Sequence, residues 1–198
     1  MPGAMRGASL VELIMFIVVI GVGLVGILAV MNLNTAASAD PLVQKQALAI
    51  GEAYLEEVLS APFTYCDPDD ANAATAESTG AVNPANPLVC ATTREALGAE
   101  GGETRSGSPN FDNVSDYSAL AAAVPATLEG TAIPGLGAYT VSVAIVAEAI
   151  GPGGAIVAAN DSNGFPQSLR VTVTVSGPGN TTVSLDGYRT RYAPNALP

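Results

Sequence analysis

The sequence contains no histidine and no tryptophan, only two cysteines, and seven basic residues against eighteen acidic ones. Without histidine the chain lacks the commonest general base and metal ligand, so its composition gives little support to an enzyme. The net charge of −11 argues against nucleic acid as a partner, because phosphate binding depends on clustered cations. We therefore expect a protein that is not an enzyme and that requires no cofactor and no metal.

The scarce cysteines are informative through their position. Cys66 and Cys90 both lie well beyond the apolar N-terminal segment. This placement predicts one disulfide in a domain exported to an oxidising compartment. In the chain-entropy view, a bridge closing a loop of about 25 residues contributes on the order of 3.5 kcal/mol. Two free thiols are the alternative.

The chain does have one long apolar segment, which runs without a charge from Leu13 to Met31. At about 1.5 Å per residue, such a helix covers nearly the thickness of a bilayer core. Arg6 precedes the segment and the next basic residue is Lys45. The positive-inside rule then places the N-terminus in the cytoplasm and the rest outside. A cleaved secretory signal is a poorer fit, because its apolar core is shorter and residues 36–39 offer only a weak exit site.

A single glutamate, Glu12, stands at the head of this segment. A charged side chain in the middle of a membrane costs roughly 2.5–3.5 kcal/mol on insertion scales, and less near the edge. The charge of Glu12 therefore needs compensation. One local explanation is a capping box at the helix start, since Ser9 and Glu12 have the required spacing.

The stretch from Gly7 to Leu13, together with the apolar run after it, resembles the type III signal of type IV pilins and pseudopilins. This resemblance implies that prepilin peptidase cleaves after Gly7 on the cytoplasmic side, and that Ala8 becomes the N-methylated terminus. It also implies that Glu12, five residues into the mature chain, pairs with the terminal amine of a neighbouring subunit. The chain departs from the family in having Ala8 where phenylalanine is usual.

Four further stretches resemble minor pilins of the mannose-sensitive haemagglutinin (MSHA) pilus group, and they are 39–50, 55–59, 63–68 and 111–117. The resemblance implies a minor pilin-like subunit that acts in assembly or priming of a type IV pilus-like filament, with adhesion as a further role. Its implied partners are other pilin subunits, through the N-terminal helix, prepilin peptidase and an inner-membrane assembly platform. A pseudopilin of a type II secretion system is one alternative, and a single-span periplasmic binding module is another.

After the membrane segment, the sequence predicts a helix over 42–60, which ends before Pro62. Its apolar residues recur at three- and four-residue steps and predict a buried stripe of Leu48, Gly51, Leu55, Val58 and Leu59. Asp40 and Pro41 either start this helix as cap and first residue or bend one long helix.

The last third of the chain alternates apolar and polar residues, which predicts three antiparallel strands near 138–147, 169–176 and 182–192. In the third strand Tyr188 and Tyr192 are out of phase with the earlier apolar residues, so we expect a bulge at Gly187 that returns them to the core. The helical stripe covers the apolar face of this sheet.

The predicted fold is α+β and pilin-like: a long N-terminal α-helix packed on a small antiparallel sheet of three or four strands, with a long disulfide-bridged loop between them. The predicted regions are a leader at 1–7, the transmembrane and assembly half of the helix at 8–31, its amphipathic half at 32–61, a helix-to-sheet loop region at 62–130 with a short helix near 113–123, and an antiparallel sheet at 131–198. Phe111, Val114 and Tyr117 share one face of that short helix, and Asn113 and Asp116 are its candidate caps.

Four residues with side-chain oxygens lie at short spacing beside Cys66, a pattern that can indicate a calcium-binding loop. They are Asp67, Asp69, Asp70 and Asn72. The pattern does not fit an EF-hand, so a solvated acidic loop is the preferred interpretation, as it is for Asp112 and Asp116. The arginines of the strands, Arg170, Arg189 and Arg191, are expected to pair locally with residues such as Glu148 or Asp186. Contact with neighbouring subunits is the alternative.

Overall fold

The computed structural model describes residues 10–154 and 156–197. The chain forms two compact units, 1–42 and 43–198. The elements are an α-helix, α1 (Leu10–Ser60), and three strands, β1 (Thr140–Ala147), β2 (Ser168–Gly177) and β3 (Thr181–Thr190), with short 3₁₀ turns at Val114–Ala119, Pro152–Gly154 and Pro178–Asn180. One long helix, a three-stranded antiparallel sheet and one disulfide confirm the predicted α+β class.

Pro41 lies inside α1, so the residues before and after it belong to one helix of 51 residues. Of the two alternatives left by the sequence, a separate helix beginning at Pro41 is therefore wrong. The helix ends at Ser60, two residues before Pro62, as expected from the effect of proline on the preceding residue.

In the second unit, α1 buries one face at helical spacing. Ala47, Ile50, Tyr54 and Val58 are each at most 7% exposed, and they lie in the same core cluster as the sheet. Leu48 is 38% exposed, so its predicted place in the buried stripe is wrong. The buried face of the helix therefore runs through these four residues, and Leu55 and Leu59 are only partly buried against the same core.

The sheet has the order β1-β2-β3, with both neighbouring pairs antiparallel. The central strand β2 places Leu169, Val171, Val173 and Val175 on the inner face, and none of them is exposed. Their neighbours on β1, Val141, Val143 and Ile145, are at most 6% exposed. The predicted alternation of these two strands is confirmed.

The predicted bulge at Gly187 is wrong. The register between β2 and β3 is continuous, with Val171 opposite Gly187. Gly187 itself faces α1, where a Cβ atom would lie 2.9 Å from Leu59 and 3.0 Å from Leu55. The absence of a side chain at Gly187 thus makes room for two leucines of the helix, and the strand needs no extra residue.

Tyr188 and Tyr192 consequently stay outside the core, at 52% and 73% exposed. The hydroxyl of Tyr188 donates to Glu148 at 3.0 Å. A tyrosine suits this position because its hydroxyl remains hydrogen-bonded at the surface.

The short helix predicted near 113–123 is a single 3₁₀ segment at Val114–Ala119. The backbone N–H of Asn113 donates to the Asp116 carboxylate at 2.7 Å, which confirms the capping role of Asp116. Val114 and Tyr117 are buried, and the Tyr117 ring packs edge-on against Phe111 at 5.0 Å. The predicted apolar face of this segment is confirmed.

Candidate functional site

The first candidate region is the N-terminal half of α1. Residues Leu10–Met31 form the one segment, among the residues that the structure describes, that is long and apolar enough to cross a membrane, with a mean hydropathy of 3.1. Its large apolar side chains are between 42% and 74% exposed, so the protein itself does not cover them. By length and composition, this segment can serve as a membrane anchor.

Glu12 lies in the first turn of α1 and is exposed. Gly7, Ala8 and Ser9 lie outside the described residues. Cleavage after Gly7, methylation of Ala8 and the capping role of Ser9 therefore remain predictions.

The second candidate region is the loop between helix and sheet, which the disulfide organises. Cys66 and Cys90 are joined, as predicted, so the alternative of two free thiols is wrong. Both sulfurs are buried beside Ala73 and Ala76, with Tyr65 packed against them. Apart from Tyr65 these side chains are small, so the covalent bond supplies much of what holds this part of the loop.

Asp70 has a structural role beside the disulfide. Its carboxylate accepts hydrogen bonds from the backbone N–H groups of Asn72, Ala91, Thr92 and Thr93, at 2.7–2.9 Å. Burial alone would raise the pKa of Asp70, but these bonds outweigh it and hold the pKa well below its usual range. Asp70 therefore joins the two cysteine-bearing segments and is unavailable as an open ligand.

Asn72 is also committed to the loop, because its side-chain amide donates to the carbonyls of Asn86 and Val89. The four oxygen-bearing residues that the sequence places beside Cys66 therefore do not act together. Asp70 and Asn72 hold the backbone, while Asp67 and Asp69 lie elsewhere, with two acidic residues from distant positions.

One carboxylate oxygen from each of Asp67, Asp69, Glu103 and Asp112 lies within 4.8 Å of the other three. We call these four residues the acidic cluster. Burial, followed by repulsion from like charges, raises the pKa of Glu103 to about 7 and that of Asp112 to about 6. Sequence reasoning treated Asp112 as solvated and missed Glu103, because no local spacing connects them to Asp67.

A second group of carboxylates, Glu95, Glu100 and Asp116, lies deeper. Glu95 is only 1% exposed, and its carboxyl group makes a short hydrogen bond with the Ser115 hydroxyl. Burial raises the pKa of Glu95 to about 10 and those of Glu100 and Asp116 to about 7. Glu95 therefore carries a proton at neutral pH, which removes its charge from this interior.

The arginines of the sheet pair within the chain, as expected. Arg170 contacts Glu148 at 2.6 Å and Asp186 at 3.6 Å. Arg189 donates to the carbonyl of Ala61 at 3.1 Å. These contacts favour a local role over contact with neighbouring subunits.

Arg191 is the most buried of these arginines. Its guanidinium is 4.6 Å from the centre of the Phe63 ring and 5.2 Å from that of Tyr65, and it contacts Asp161 at 3.4 Å. The guanidinium of Arg191 therefore connects the end of the sheet to the start of the loop region.

Comparison with family models, with curated proteins and with solved structures finds no match for this chain. The likeness to pilins rests on the residues of the chain alone.

Proposed function

We propose that the chain is a minor pilin-like subunit of a type IV pilus-like filament of the MSHA type, processed by prepilin peptidase and acting in assembly or priming. One observation carries this proposal: a glycine, a glutamate five residues beyond it, and an uncovered apolar helix occur together at the N-terminus. In such a filament each of the three features has its own role in assembly. The glycine marks the cleavage, the helix packs in the filament centre and the glutamate fixes the position of the next subunit.

The proposed mechanism is assembly and not catalysis. Cleavage after Gly7 creates a positively charged amine on Ala8, and Glu12 of a neighbouring subunit pairs with it. Because either charge alone is costly in a low-dielectric environment, a subunit out of register leaves both uncompensated. The pair thereby sets the axial spacing.

Apolar contacts between helices hold the proposed filament together. Three glycines, Gly21, Gly23 and Gly26, have no neighbour within 4 Å of the position that a Cβ would take, apart from the adjacent residues and the backbone of the helix itself. Small residues on an otherwise apolar helix allow neighbouring helices to approach closely.

Before assembly, the proposed subunit lies in the bacterial inner membrane with a cytoplasmic N-terminus and a periplasmic C-terminal domain. Arg6 and the disulfide both support this arrangement, because positive charge favours the cytoplasmic side and a structural disulfide requires an oxidising compartment.

The test has two parts. Mass spectrometry of the mature protein should find a chain that begins with N-methylated Ala8. Replacement of Glu12 with valine should leave membrane insertion intact while greatly reducing the amount of subunit in purified filaments. Glu52→Ala is the matched control, because Glu52 is an exposed glutamate of the same helix; it should assemble normally.

A chain that still begins at Met1, or normal incorporation of the E12V protein, would contradict the proposal. A strain lacking the gene distinguishes the two kinds of filament. Loss of surface filaments supports a pilus subunit, whereas loss of protein secretion with filaments intact identifies a secretion pseudopilin.

A further inference from the structure

Asp116 contains a buried oxygen that has no hydrogen-bond donor. The residue is only 1% exposed. Its Oδ2 atom accepts from the backbone N–H groups of Asp112 and Asn113, at 3.1 Å and 2.7 Å. Its Oδ1 atom is buried and, among the residues that the structure describes, accepts no hydrogen bond. A buried acceptor without a donor is destabilising, so we looked for a group nearby that can supply a proton.

The side chain of Glu100 is that group. One carboxylate oxygen from each of Glu95, Glu100 and Asp116 lies within 4.8 Å of the other two, and the side chains of Glu100 and Asp116 are within hydrogen-bonding reach of each other. Two ionised carboxylates have only acceptor oxygens and cannot form this bond, whereas a protonated carboxyl group donates to an ionised one. The Oε1 atom of Glu100 accepts from the backbone N–H of Ala96 at 3.3 Å, which leaves Oε2 to carry the proton.

The charges that bear most strongly on Glu100 and Asp116 favour retention of a proton. All of them are acidic, and they come from the segment after Cys66, from both sides of Glu100 and from the residue that precedes Asn113. They are Asp67, Glu95, Glu103 and Asp112. Burial, assisted by repulsion from these carboxylates, raises the pKa of Glu100 and that of Asp116 to about 7.

The other ionisable groups in these surroundings do not balance that charge. Two arginines act on neighbours of the pair, one on Glu95 and one on Tyr117, and each already has a partner within the chain. They are Arg191, with Asp161 at 3.4 Å, and Arg105, with Glu57 at 2.7 Å. Tyr117 interacts with Asp116, but burial raises the pKa of its hydroxyl, so Tyr117 stays neutral. A proton is therefore the means by which the pair avoids two adjacent negative charges.

We propose that Glu100 and Asp116 share one proton, and that this proton is a pH-sensitive latch that holds residues 95–103 against the 3₁₀ turn at Val114–Ala119. With the proton in place, one carboxyl group donates to the other and the latch is closed. When the proton leaves, two adjacent carboxylates repel each other and the latch opens. The latch lies in the second unit, so it does not depend on how the N-terminal helix functions.

The shared proton makes the protein less stable as the pH rises. In the unfolded chain glutamate and aspartate release their protons near pH 4.5 and pH 3.8, whereas the folded chain keeps the shared proton to about pH 7. The stabilising contribution of the latch is therefore complete below the unfolded values and is lost as the pH rises to about 7.

The experiment is urea unfolding of the full chain in detergent, between about pH 5 and pH 8. Over this range the unfolding equilibrium constant of the wild type should rise at least about tenfold more than that of Glu100→Gln, because the glutamine amide donates to Asp116 at every pH. Asp116→Asn should flatten the profile equally, since its amide donates to Glu100. The double variant should be no flatter than either single variant, because the two residues hold one proton between them.

Carbon-13 NMR of labelled side-chain carboxyl groups gives a measurement specific to the pair. In the wild type the Asp116 signal, identified by its absence in D116N, should titrate with a midpoint near pH 7. In E100Q the midpoint should fall by at least about one pH unit, because a neutral donor replaces a group that can ionise. Glu77→Gln is the matched control, an exposed carboxylate within the disulfide loop, and should leave both measurements unchanged.

An Asp116 midpoint that is the same in wild type and E100Q would overturn the proposal, since the two carboxyl groups would then titrate independently. Flattening that is greater in the double variant than in either single variant would overturn it too. So would equal stability profiles in wild type, E100Q and D116N, which would show that no proton is held between these residues.

Discussion

Glu95 is one of the largest side chains that this protein buries completely. Its protonated carboxyl group is hydrogen-bonded to the Ser115 hydroxyl, and that hydroxyl donates its own proton to the Asn113 side chain at 3.1 Å. Glu95 thus connects the segment after Cys90 to the start of the 3₁₀ turn at Val114–Ala119. Burial raises its pKa to about 10, so the group that makes this connection at neutral pH is an uncharged acid.

Replacing Glu95 with glutamine should change how the stability of the protein depends on pH. The folded chain keeps the Glu95 proton up to about pH 10, whereas the unfolded chain releases it above about pH 4.5. The wild type therefore loses stability through this group as the pH rises between those values. Glutamine stays neutral throughout, so urea unfolding of the full chain in detergent should show a shallower decline and greater stability at pH 9.

The control for this prediction is Glu77→Gln, an exposed carboxylate that should leave the pH dependence unchanged. A decline of equal slope in E95Q and wild type would show that Glu95 is already ionised in the folded protein.

Arg105 fastens the loop region to α1. Its guanidinium makes two hydrogen bonds of 2.7 Å to Glu57, lies 4.6 Å from the centre of the Tyr54 ring and donates to the carbonyl of Ala126. The Arg105 and Glu57 side chains are only 10% and 18% exposed, whereas those of Arg170 and Glu148 are 34% and 39% exposed. Loss of one partner should therefore matter far more at Arg105 than at Arg170, because exposed pairs contribute about 0–1 kcal/mol.

The contact between α1 and β3 depends on Gly187 lacking a side chain. Gly187→Val places methyl groups where the tips of Leu55 and Leu59 already lie, and overpacking of this kind costs about 1–3 kcal/mol. The preference of valine for strands opposes this by less than about 1 kcal/mol. We therefore expect a net loss in the free energy of unfolding, measured with urea.

Two further variants test the cause of that loss. Leu59→Ala combined with G187V should cost less than the sum of the single changes, since the alanine frees the space that valine fills. Ser184→Val lies on the exposed face of the same strand and should change stability by no more than about 0.5 kcal/mol. A G187V protein as stable as the wild type would show that the leucine tips move aside without cost.

Gly187 also shows which parts of the fold can be predicted from the sequence and which cannot. The period of two in β1 and β2 and the helical period in α1 are local patterns. They predicted the class, the strands and the buried side of β1 and β2, whereas in α1 only Gly51 and Val58 of the predicted stripe are buried. The position of Tyr188 depends instead on the leucines of α1, distant in the sequence, and a local pattern cannot contain that information.

The same reason explains the acidic cluster. Asp67 and Asp69 are conspicuous beside Cys66, but Glu103 and Asp112 reach them only through the folding of an irregular loop. Asp70 looks like a ligand in the sequence and is fully used by backbone N–H groups. Distinguishing these carboxylates required the positions of their hydrogen-bond donors, which follow no sequence period.

The two units of the chain differ in composition. The first is apolar and has few charges, and the second is acidic and contains the disulfide. The proposed topology connects the two, because the positive-inside rule predicts that the N-terminal charge determines which compartment receives Cys66 and Cys90. Replacing Arg6 with glutamate and both Asn32 and Asn34 with lysine reverses the charge difference across the apolar segment. We expect this variant to retain the second unit in the cytoplasm, where reducing conditions keep both thiols free.

Alkylation of the denatured, unreduced protein with a mass-adding maleimide measures that outcome directly. The wild type should gain no label, because its two cysteines are joined, whereas the charge-reversed variant should gain two. Arg6→Lys preserves the charge and should behave as the wild type. A disulfide that persists in the reversed variant would contradict the positive-inside argument, since the thiols would still have reached an oxidising compartment. Two labels in the variant, with none in R6K, would mean that the charge difference across the apolar segment determines where the disulfide forms.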